Sequence, residues 1–278
     1  MTLNQRIQTF YDQSTAVWLD MWGEHMHHGY YGPDGSEQKD HLQAQIDLVT
    51  ELLRWGDVQQ VEHFLDAGCG VGGSSRFLAK LYGASGMGVT LSPVQVAEAR
   101  RLTQQAKLDD RLTFEVKDMM TIQASEKPFD LIWSMESAEH IREKERLFQL
   151  FYDCLRPGGQ FVMATWCHRE LDTALTPGDQ KLLDQICHLY HLPPLVAVSD
   201  LQAFARQAGF QGVETADWSA AVAPFWPAVI RSAISLPGVK GLLKSGWGTI
   251  KGAWAMRYMR QGFRNGLLKF GLVKGQKI

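Results

Sequence analysis

Long apolar runs are missing from this chain of 278 residues. No stretch approaches the roughly 20 apolar residues that a membrane-spanning helix needs, so the sequence predicts no spanning segment. The first 15 residues also lack the apolar core of a signal peptide and the Arg- and Ser-rich composition of a transit peptide, and we expect neither. A chain of this length can bury one sizeable core, and these absences favour a cytoplasmic protein.

Cysteine is also scarce, and its four positions follow no pattern. Cys69, Cys154, Cys167 and Cys187 have neither the spacing of a metal site nor the density of a disulfide framework. We therefore expect reduced thiols. Cys69 lies in a glycine-rich loop, where a small buried side chain is its expected role.

Acidic residues are absent from Trp218 to the end of the chain. This segment holds ten of the 28 basic residues and none of the 30 acidic ones, so residues 1–217 carry a net charge of −12. Apolar residues recur there at helical steps with lysines along one flank, a pattern typical of a helix on an anionic membrane surface. The alternative is an ordinary helix with solvated lysines, because glycines weaken a long helix. The interleaved tryptophans disfavour nucleic acid as the partner. The stripe comprises Val239, Leu243, Trp247, Ile250, Trp254 and Tyr258, flanked by Lys240, Lys244 and Lys251.

A glycine-rich loop in residues 64–75 is the most informative feature that is present. Asp66 ends a short apolar run, glycines follow, and a helix-like segment comes next. Only glycine lets the backbone and a ligand approach closely at a tight turn before a helix N-terminus. The loop therefore predicts a site for a nucleotide-like ligand.

Gly68, Gly70 and Gly73 also fit the dinucleotide spacing G-x-G-x-x-G. A dinucleotide site needs a carboxylate about twenty residues further on for the ribose hydroxyls. The next strand-like run, residues 86–92, ends without an acid. The sequence therefore disfavours a hydride-transfer enzyme.

Four landmarks, in order along the chain, resemble class I S-adenosylmethionine-dependent methyltransferases. They are Asp66-Ala-Gly-Cys-Gly70, Lys117-Asp-Met119 after the strand-like Leu112–Val116, the strand Phe129–Trp133, and the turn and strand Leu155–Met163. The resemblance implies S-adenosylmethionine as cofactor and a doubly wound, Rossmann-like α/β fold. It also implies one integrated domain with a helical N-terminal cap (1–62), a cofactor-binding core (63–165), and an acceptor lid with the final strands and the basic segment (166–278).

Longer motifs narrow the resemblance to the gamma-tocopherol methyltransferase family over essentially the whole chain. Among these motifs are residues 10–15, 22–31, 88–95, 165–169 and 222–231. The resemblance implies methylation of a tocopherol chromanol, gamma to alpha or delta to beta, at a ring carbon beside the phenol. It also implies a cytoplasmic or plastid-like compartment with peripheral membrane contact.

Other acceptors stay open within this family. They are an indole alkaloid methylated on nitrogen, a prenyl quinol, or another small aromatic compound. A protein with a methyltransferase fold that only binds a ligand is the non-enzymatic alternative, because a fold does not fix activity.

The resemblance divides the cofactor residues into three groups. Those near the methionyl amine are Asp66, Gly68, Gly70 and, through its backbone, Ser134. Those in the ribose and adenine region are Thr90, Leu91, Gln95, Asp118 and Met119, with Gln95 in place of the missing acid. The N-terminal motifs add Tyr11 and Tyr30.

Candidate catalytic bases cluster after the fourth strand. A phenol has a pKa of about 10 in solution, so a base that removes its proton makes the neighbouring ring carbon more nucleophilic. Glu136 and His140 are four residues apart and would share one face if this segment were helical. Glu139 and, after the fifth strand, His168 are further candidates. The alternative is that Glu136 and His140 only hydrogen-bond nearby backbone or helix ends.

Three histidines, His25, His27 and His28, stand beside Glu24, a density that can indicate a metal site. Neighbouring ligands at this spacing need an unusual backbone path to converge, so we expect no metal. We expect His28 and Tyr30 to hydrogen-bond the cofactor head group or the phenol instead.

Overall fold

A seven-stranded sheet forms the centre of the protein. The structure, a computed structural model, describes residues 1–124, 128–234 and 247–278. Within these residues the strands are β1 (His63–Ala67), β2 (Ser85–Thr90), β3 (Leu112–Val116), β4 (Phe129–Met135), β5 (Leu155–His168), β6 (Gln211–Asp217) and β7 (Leu268–Gln276). The order across the sheet is β3-β2-β1-β4-β5-β7-β6. The first five strands are parallel, and β7 is antiparallel to β5 and β6. The predicted doubly wound α/β fold is confirmed.

The described helices fall before, between and after these strands. They are α1 (Leu3–Trp22), α2 (His41–Trp55), α3 (Gly73–Tyr82), α4 (Pro93–Gln105), α5 (Lys144–Cys154), α6 (Pro177–Leu189), α7 (Val198–Gln207), α8 (Ser219–Val222), α9 (Phe225–Ile234) and α10 (Trp247–Arg264). Two 3-10 helices cover Met119–Thr121 and Ala138–His140. No described helix is both long and apolar enough to cross a bilayer.

The sheet buries apolar side chains on both faces because successive strand residues point in opposite directions. Phe64 and Trp133 belong to the core cluster that contains Leu48 and Leu52 of α2. The residues next to them in the chain are Leu65 and Ile132. These belong to a second cluster, which contains Phe148 and Phe151 of α5. Continuous apolar runs such as β4, buried along its whole length, are therefore what a parallel sheet between two helix layers requires.

The strand order reverses between β1 and β4, and the loops at the carboxyl ends of these strands form a crevice there. Helix α1 is tied to the same edge by two side-chain hydrogen bonds. The Asn4 amide donates to Asp118 Oδ2 at 2.7 Å, and the Ser92 hydroxyl donates to Asp12. The first helix thus lies against the loops that follow β2 and β3.

The first part of the basic stripe predicted between Val239 and Tyr258, residues 239–246, lies outside the described residues. Helical backbone is described from Trp247 to Arg264. Lys240 and Lys244 are outside the described residues altogether. The membrane-surface interpretation of this segment stays a prediction.

Candidate functional site

A cleft of about 940 Å³, including its solvent-filled mouth, lies at the carboxyl ends of β1 to β4. Nine of the predicted cofactor residues line it: Tyr11, Asp66, Gly68, Gly70, Thr90, Leu91, Gln95, Asp118 and Met119. The topological switch point and the predicted ligand residues therefore coincide.

Asp66, the last but one residue of β1, places a buried carboxylate at the base of this cleft. Its side chain is 2% exposed, and the Ser75 hydroxyl donates to Oδ2 at 2.5 Å. Burial raises the pKa of Asp66 to about 6, against the lowering effects of the Ser75 hydrogen bond and of Arg76. A cation bound beside this group would favour its ionised form, so the position suits an ammonium ligand.

The glycines of the loop are required by space and by backbone conformation. Gly68 has φ +99°, and a Cβ there would lie 2.2 Å from Cβ of Ser137. A Cβ on Gly73 would lie 2.2 Å from the backbone oxygen of Glu24. At Gly70 a Cβ would meet no heavy atom within 4 Å. The loop is thus packed tightly from behind and open towards the cleft, which is the shape a ligand held against the backbone needs.

Polar side chains after β2 and β3 complete the cleft. Thr90 donates to Gln95 Oε1 at 2.6 Å, which fixes the Gln95 amide beside the end of β2. Asp118 accepts from the backbone N–H of Met120 at 2.9 Å and from Asn4. Met119 is 9% exposed and presents an apolar surface next to Asp118. Carboxylate and amide groups beside an apolar surface fit the hydroxyls and base of an adenosine, so these residues suit S-adenosylmethionine.

Two predicted cofactor residues do not line the cleft. The Tyr30 ring centroid lies 5.2 Å from that of Trp218, and the Tyr30 N–H donates to the Ala44 carbonyl. Ser134 is buried, with its hydroxyl 3.0 Å from that of Ser137. Ser137 itself lines the cleft and donates to the Ala67 carbonyl, so the Ser134 hydroxyl lies behind it, and the predicted backbone contact of Ser134 with the cofactor stays a prediction.

A second cavity of about 460 Å³ adjoins the cleft and is walled by aromatic rings. Its apolar lining comes from α1, β5, the end of α6 and α9: Phe10, Trp18, Trp22, Trp166, Tyr190, Phe225 and Trp226. The residues that it shares with the cleft are Tyr11, Met26, His27, Glu136 and His140. A flat ligand in this cavity would therefore be a direct neighbour of a ligand in the cleft.

The carboxylate of Glu136 is held between His28 and Trp166. It accepts from the backbone N–H of His28 at 2.7 Å and lies 2.7 Å from His28 Nδ1. The indole N–H of Trp166 donates to it at 3.0 Å. Burial opposes ionisation of Glu136, but the His28 ring and these hydrogen bonds hold its pKa below the usual value. The carboxylate is therefore ionised and fully engaged.

The expected shared helix face of Glu136 and His140 is not formed. Glu136 has φ +48°, a left-handed conformation that costs roughly 1 kcal/mol for a non-glycine residue, and the 3-10 helix begins only at Ala138. This backbone turn aims the carboxylate at His28 rather than at His140. The glutamate-oriented histidine in this site is thus a residue from the N-terminal segment.

The other candidate bases have different surroundings. His140 Nε2 lies 2.8 Å from the Tyr11 hydroxyl, and burial together with Lys144 and His191 lowers the His140 pKa to about 4. Glu139 lines the aromatic cavity and accepts from Thr165 at 2.8 Å, and burial with nearby Glu136 raises its pKa to about 8. His140 is therefore neutral and Glu139 mainly protonated at neutral pH.

His168 and His25 lie outside the aromatic cavity. His168 ends β5, its Nδ1 is 2.6 Å from the Arg169 carbonyl, and it lines neither cavity. His25 Nδ1 lies 3.3 Å from His27 Nε2, while His28 turns away to Glu136. In the part of the chain that the structure describes, no group of three or more His, Cys, Asp or Glu is arranged to hold a metal ion.

The aromatic walls of the second cavity were not predicted as site residues. Trp18 and Trp22 are four residues apart on α1, and their rings stack at 5.1 Å between centroids. That spacing is a visible signal of a shared helix face. Phe225 and Trp226 lie far along the chain, and their adjacency to α1 exists only in the fold.

Comparison with known proteins agrees with this geometry. A family model for a methyltransferase domain matches residues 64–159. The chain is 40% identical to the chloroplastic tocopherol O-methyltransferase of Arabidopsis thaliana, with 99% of this chain and 82% of that protein covered. It is 34% identical to the 2-methyl-6-phytyl-1,4-hydroquinone methyltransferase of Synechocystis sp., with 95% and 85% covered.

Among solved structures, geranyl diphosphate methyltransferase in complex with geranyl diphosphate and sinefungin has the same fold. The TM-score is 0.80 at 18% identity, and 99% of each chain is covered. The cleft fits S-adenosylmethionine. The identities of 40% and 34% to proteins named as methyltransferases extend over nearly the whole chain, and they show that this protein is a methyltransferase. The chain belongs to the tocopherol methyltransferase family of class I S-adenosylmethionine-dependent methyltransferases.

Proposed function

We propose that this enzyme methylates a tocopherol-type chromanol at a ring carbon beside the phenol hydroxyl, converting gamma to alpha and delta to beta forms. The observation that carries the proposal is the aromatic cavity next to the cofactor cleft. Bound S-adenosylmethionine supplies an electrophilic methyl group on a positively charged sulfur. The protein's part is then to align a nucleophile with that group and to exclude water.

The cofactor is proposed to lie with its ammonium group against Asp66 and the backbone of Gly68 and Gly70. Thr90, Leu91 and Gln95 would contact the ribose, and Asp118 and Met119 the adenine. Tyr11 lies between the two cavities, where it would touch both ligands. In this proposal residues 1–62 cap the cofactor, and residues 166–278 contribute the acceptor lid.

The acceptor ring is proposed to lie among the tryptophans of the second cavity with its oxygen towards buried nitrogen atoms. His28 Nε2, Trp22 Nε1 and Trp226 Nε1 are buried and have no hydrogen-bond partner within the described residues. Such groups are costly to bury unless a ligand satisfies them. In the proposed pose, a phenol oxygen held there has the ring carbon beside it directed towards the residues shared with the cofactor cleft. This arrangement favours transfer to carbon over transfer to oxygen.

The names of the relatives give the competing acceptors and products. The Arabidopsis thaliana protein is named for O-methylation of tocopherol, and the Synechocystis sp. protein for a prenyl hydroquinone. The deciding experiment incubates the enzyme with labelled S-adenosylmethionine and either gamma-tocopherol, the phytyl hydroquinone or an indole amine. We expect the label on a chromanol ring carbon by NMR. A methyl ether, or transfer only to another acceptor, would contradict the proposal.

Trp226→Phe is expected to raise the KM for the chromanol about threefold to tenfold, because an aromatic ring remains but the N–H donor is lost together with part of the indole. The matched control is Trp133→Phe. Trp133 is fully buried, its Nε1 also has no partner within the described residues, and it lines neither cavity. An equal change of KM in both variants would show that the indole N–H of Trp226 does not bind the acceptor.

We further propose that the enzyme meets a prenylated acceptor at a membrane surface through its basic C-terminal segment, in a plastid-like or cytoplasmic compartment. Each Lys or Arg near an anionic surface contributes about 1 kcal/mol. Replacing Lys240, Lys244 and Lys251 by Glu is therefore expected to weaken sedimentation with anionic liposomes and to slow methylation of membrane-embedded gamma-tocopherol.

The control for this prediction is a short-tailed soluble chromanol, on which the triple variant should keep its activity. Binding of the parent should also fall as salt is raised. A triple variant that sediments like the parent, or that loses both activities equally, would show that the lysines serve structure or solubility only.

A further inference from the structure

We propose that His28 is the catalytic base that takes the hydroxyl proton of the acceptor, and that Glu136 is the residue that positions it. This inference rests on the proposed function, because it requires a phenolic acceptor in the aromatic cavity. The two residues are 108 positions apart in the chain and meet in the lining of that cavity.

The contact with Glu136 decides which nitrogen of His28 carries the proton. Nδ1 lies 2.7 Å from the ionised Glu136 carboxylate, and a carboxylate can only accept, so Nδ1 is the N–H nitrogen. In the neutral form of the ring, Nε2 then presents a lone pair. The backbone N–H of His28 donates to the other carboxylate oxygen, so the ring is held at two points.

The surroundings of Nε2 point to a hydroxyl ligand. His28 is 1% exposed, and Nε2 meets no hydrogen-bond partner among the described residues. Aromatic rings surround the imidazole, with the centroids of Phe225 and Trp226 at 5.0 and 5.1 Å. A buried acceptor nitrogen in a cavity of flat apolar walls matches the O–H of an aromatic alcohol.

The other titratable groups of the cavity are less suited to this role. Glu136 already accepts three hydrogen bonds, and Glu139 is mainly protonated at neutral pH because burial raises its pKa. His140 contacts Tyr11 through Nε2, has no carboxylate bonded to its ring, and is disfavoured in its charged form by burial. An imidazolium formed on His28, in contrast, would rest directly against an ionised carboxylate.

The proposed transfer conserves protons and electrons. The acceptor O–H bond breaks, its proton goes to His28 Nε2, and the oxygen electron pair flows into the ring. The ring carbon beside the oxygen forms a bond to the methyl carbon, while the carbon–sulfur pair stays on sulfur as S-adenosylhomocysteine leaves. The resulting ring ketone loses the proton on the methylated carbon to solvent and regains the hydroxyl proton from His28. One proton is released overall.

His28→Asn tests the base, because the Asn amide can reach Glu136 but lacks an atom at the position of Nε2. We expect kcat for gamma-tocopherol to fall about 100-fold to 10,000-fold, with the affinity for S-adenosylhomocysteine unchanged. The rate that remains in His28→Asn should increase tenfold for each unit by which the pH is raised, up to the phenol pKa of about 10. The reason is that the acceptor must then lose its proton to solvent. A more acidic phenol should recover part of the lost rate.

Glu136→Gln tests the positioning role through the pH profile. We expect kcat to fall about tenfold or more, and the acid limb of the pH–rate profile to move to lower pH, because the imidazolium loses its counter-charge. The control Glu51→Gln makes the same carboxylate-to-amide change on α2, at a residue that lines neither cavity, so its profile should remain that of the parent. The pH–rate profile must be compared with the titration of the other titratable residues that line the cavity. These are Tyr11, His27, Glu139, His140 and Tyr190.

An active parent with a His28→Asn variant whose kcat lies within about threefold of it would overturn the base role. The variant's retained binding of S-adenosylhomocysteine shows that it is folded. If His28→Asn does not fold, the pH–rate profile of Glu136→Gln decides. An acid limb at the same pH as in the parent would overturn the roles proposed for both residues. A parent without turnover on any phenolic acceptor would instead overturn the proposed function, and the base role with it.

Discussion

Asp66→Ala is expected to weaken cofactor binding about 100-fold or more while the protein stays folded. The variant loses a charge-assisted contact to the ammonium group, and bonds to charged groups contribute about 1.5 to 3 kcal/mol each. The carboxylate itself is costly to bury, as its raised pKa indicates, so its removal should have little effect on folding. Calorimetric titration with S-adenosylhomocysteine, which keeps the ammonium group, measures the affinity.

The same carboxylate makes cofactor affinity depend on pH. In the ligand-free protein Asp66 has a pKa of about 6, so it is protonated below that pH and cannot pair with an ammonium. Affinity should therefore be nearly constant around pH 7, where the ligand amine is also protonated, and fall towards tenfold per unit below pH 6. The affinity of Asp66→Asn should show no such fall at low pH. Ser75→Ala removes a hydrogen bond that favours ionisation of Asp66, so in this variant the fall in affinity should begin at a higher pH. Parent-like affinity in Asp66→Ala would refute the placement of the ammonium group.

Gly68→Ala is expected to destabilise the protein by about 2 to 4 kcal/mol and to abolish cofactor binding. The alanine must adopt φ +99°, which an L residue tolerates poorly, and its Cβ would lie 2.2 Å from Ser137 Cβ. Overpacking of this kind costs about 1 to 3 kcal/mol in addition to the backbone strain. Denaturant unfolding followed by fluorescence measures the loss.

Two further variants separate the backbone strain from the clash. Gly158 has φ +78°, and a Cβ there would meet nothing within 4 Å, so Gly158→Ala reports the strain alone and should cost about 1 kcal/mol. Ser137→Gly in the Gly68→Ala background removes the clashing atom and should recover part of the stability. If Gly68→Ala is no less stable than Gly158→Ala, the contact with Ser137 does not constrain the loop.

The cofactor cleft could be predicted from the sequence because each of its parts is a short contiguous segment. Most of β1, with Asp66 near its end, and the following glycines are encoded in residues 64–75, and the packing at Gly68 explains why that sequence is needed. The ends of β2 and β3 carry Thr90 and Asp118 into the same crevice because parallel strands end at one edge. Tyr30 and Ser134 are the two predicted residues that do not line the cleft, since a motif does not say to which side a side chain turns.

The sequence by itself therefore determined the α/β class, the order of the strands and helices, and the residues at the carboxyl edge of the sheet. These depend on chain-local properties: apolar periodicity, turn residues and the backbone freedom of glycine. Only the tertiary structure decided the pairing of His28 with Glu136 and the aromatic enclosure by Trp22 and Trp226. The reason is that such contacts join residues more than a hundred positions apart, or depend on a single left-handed residue such as Glu136, and are fixed by how whole elements pack.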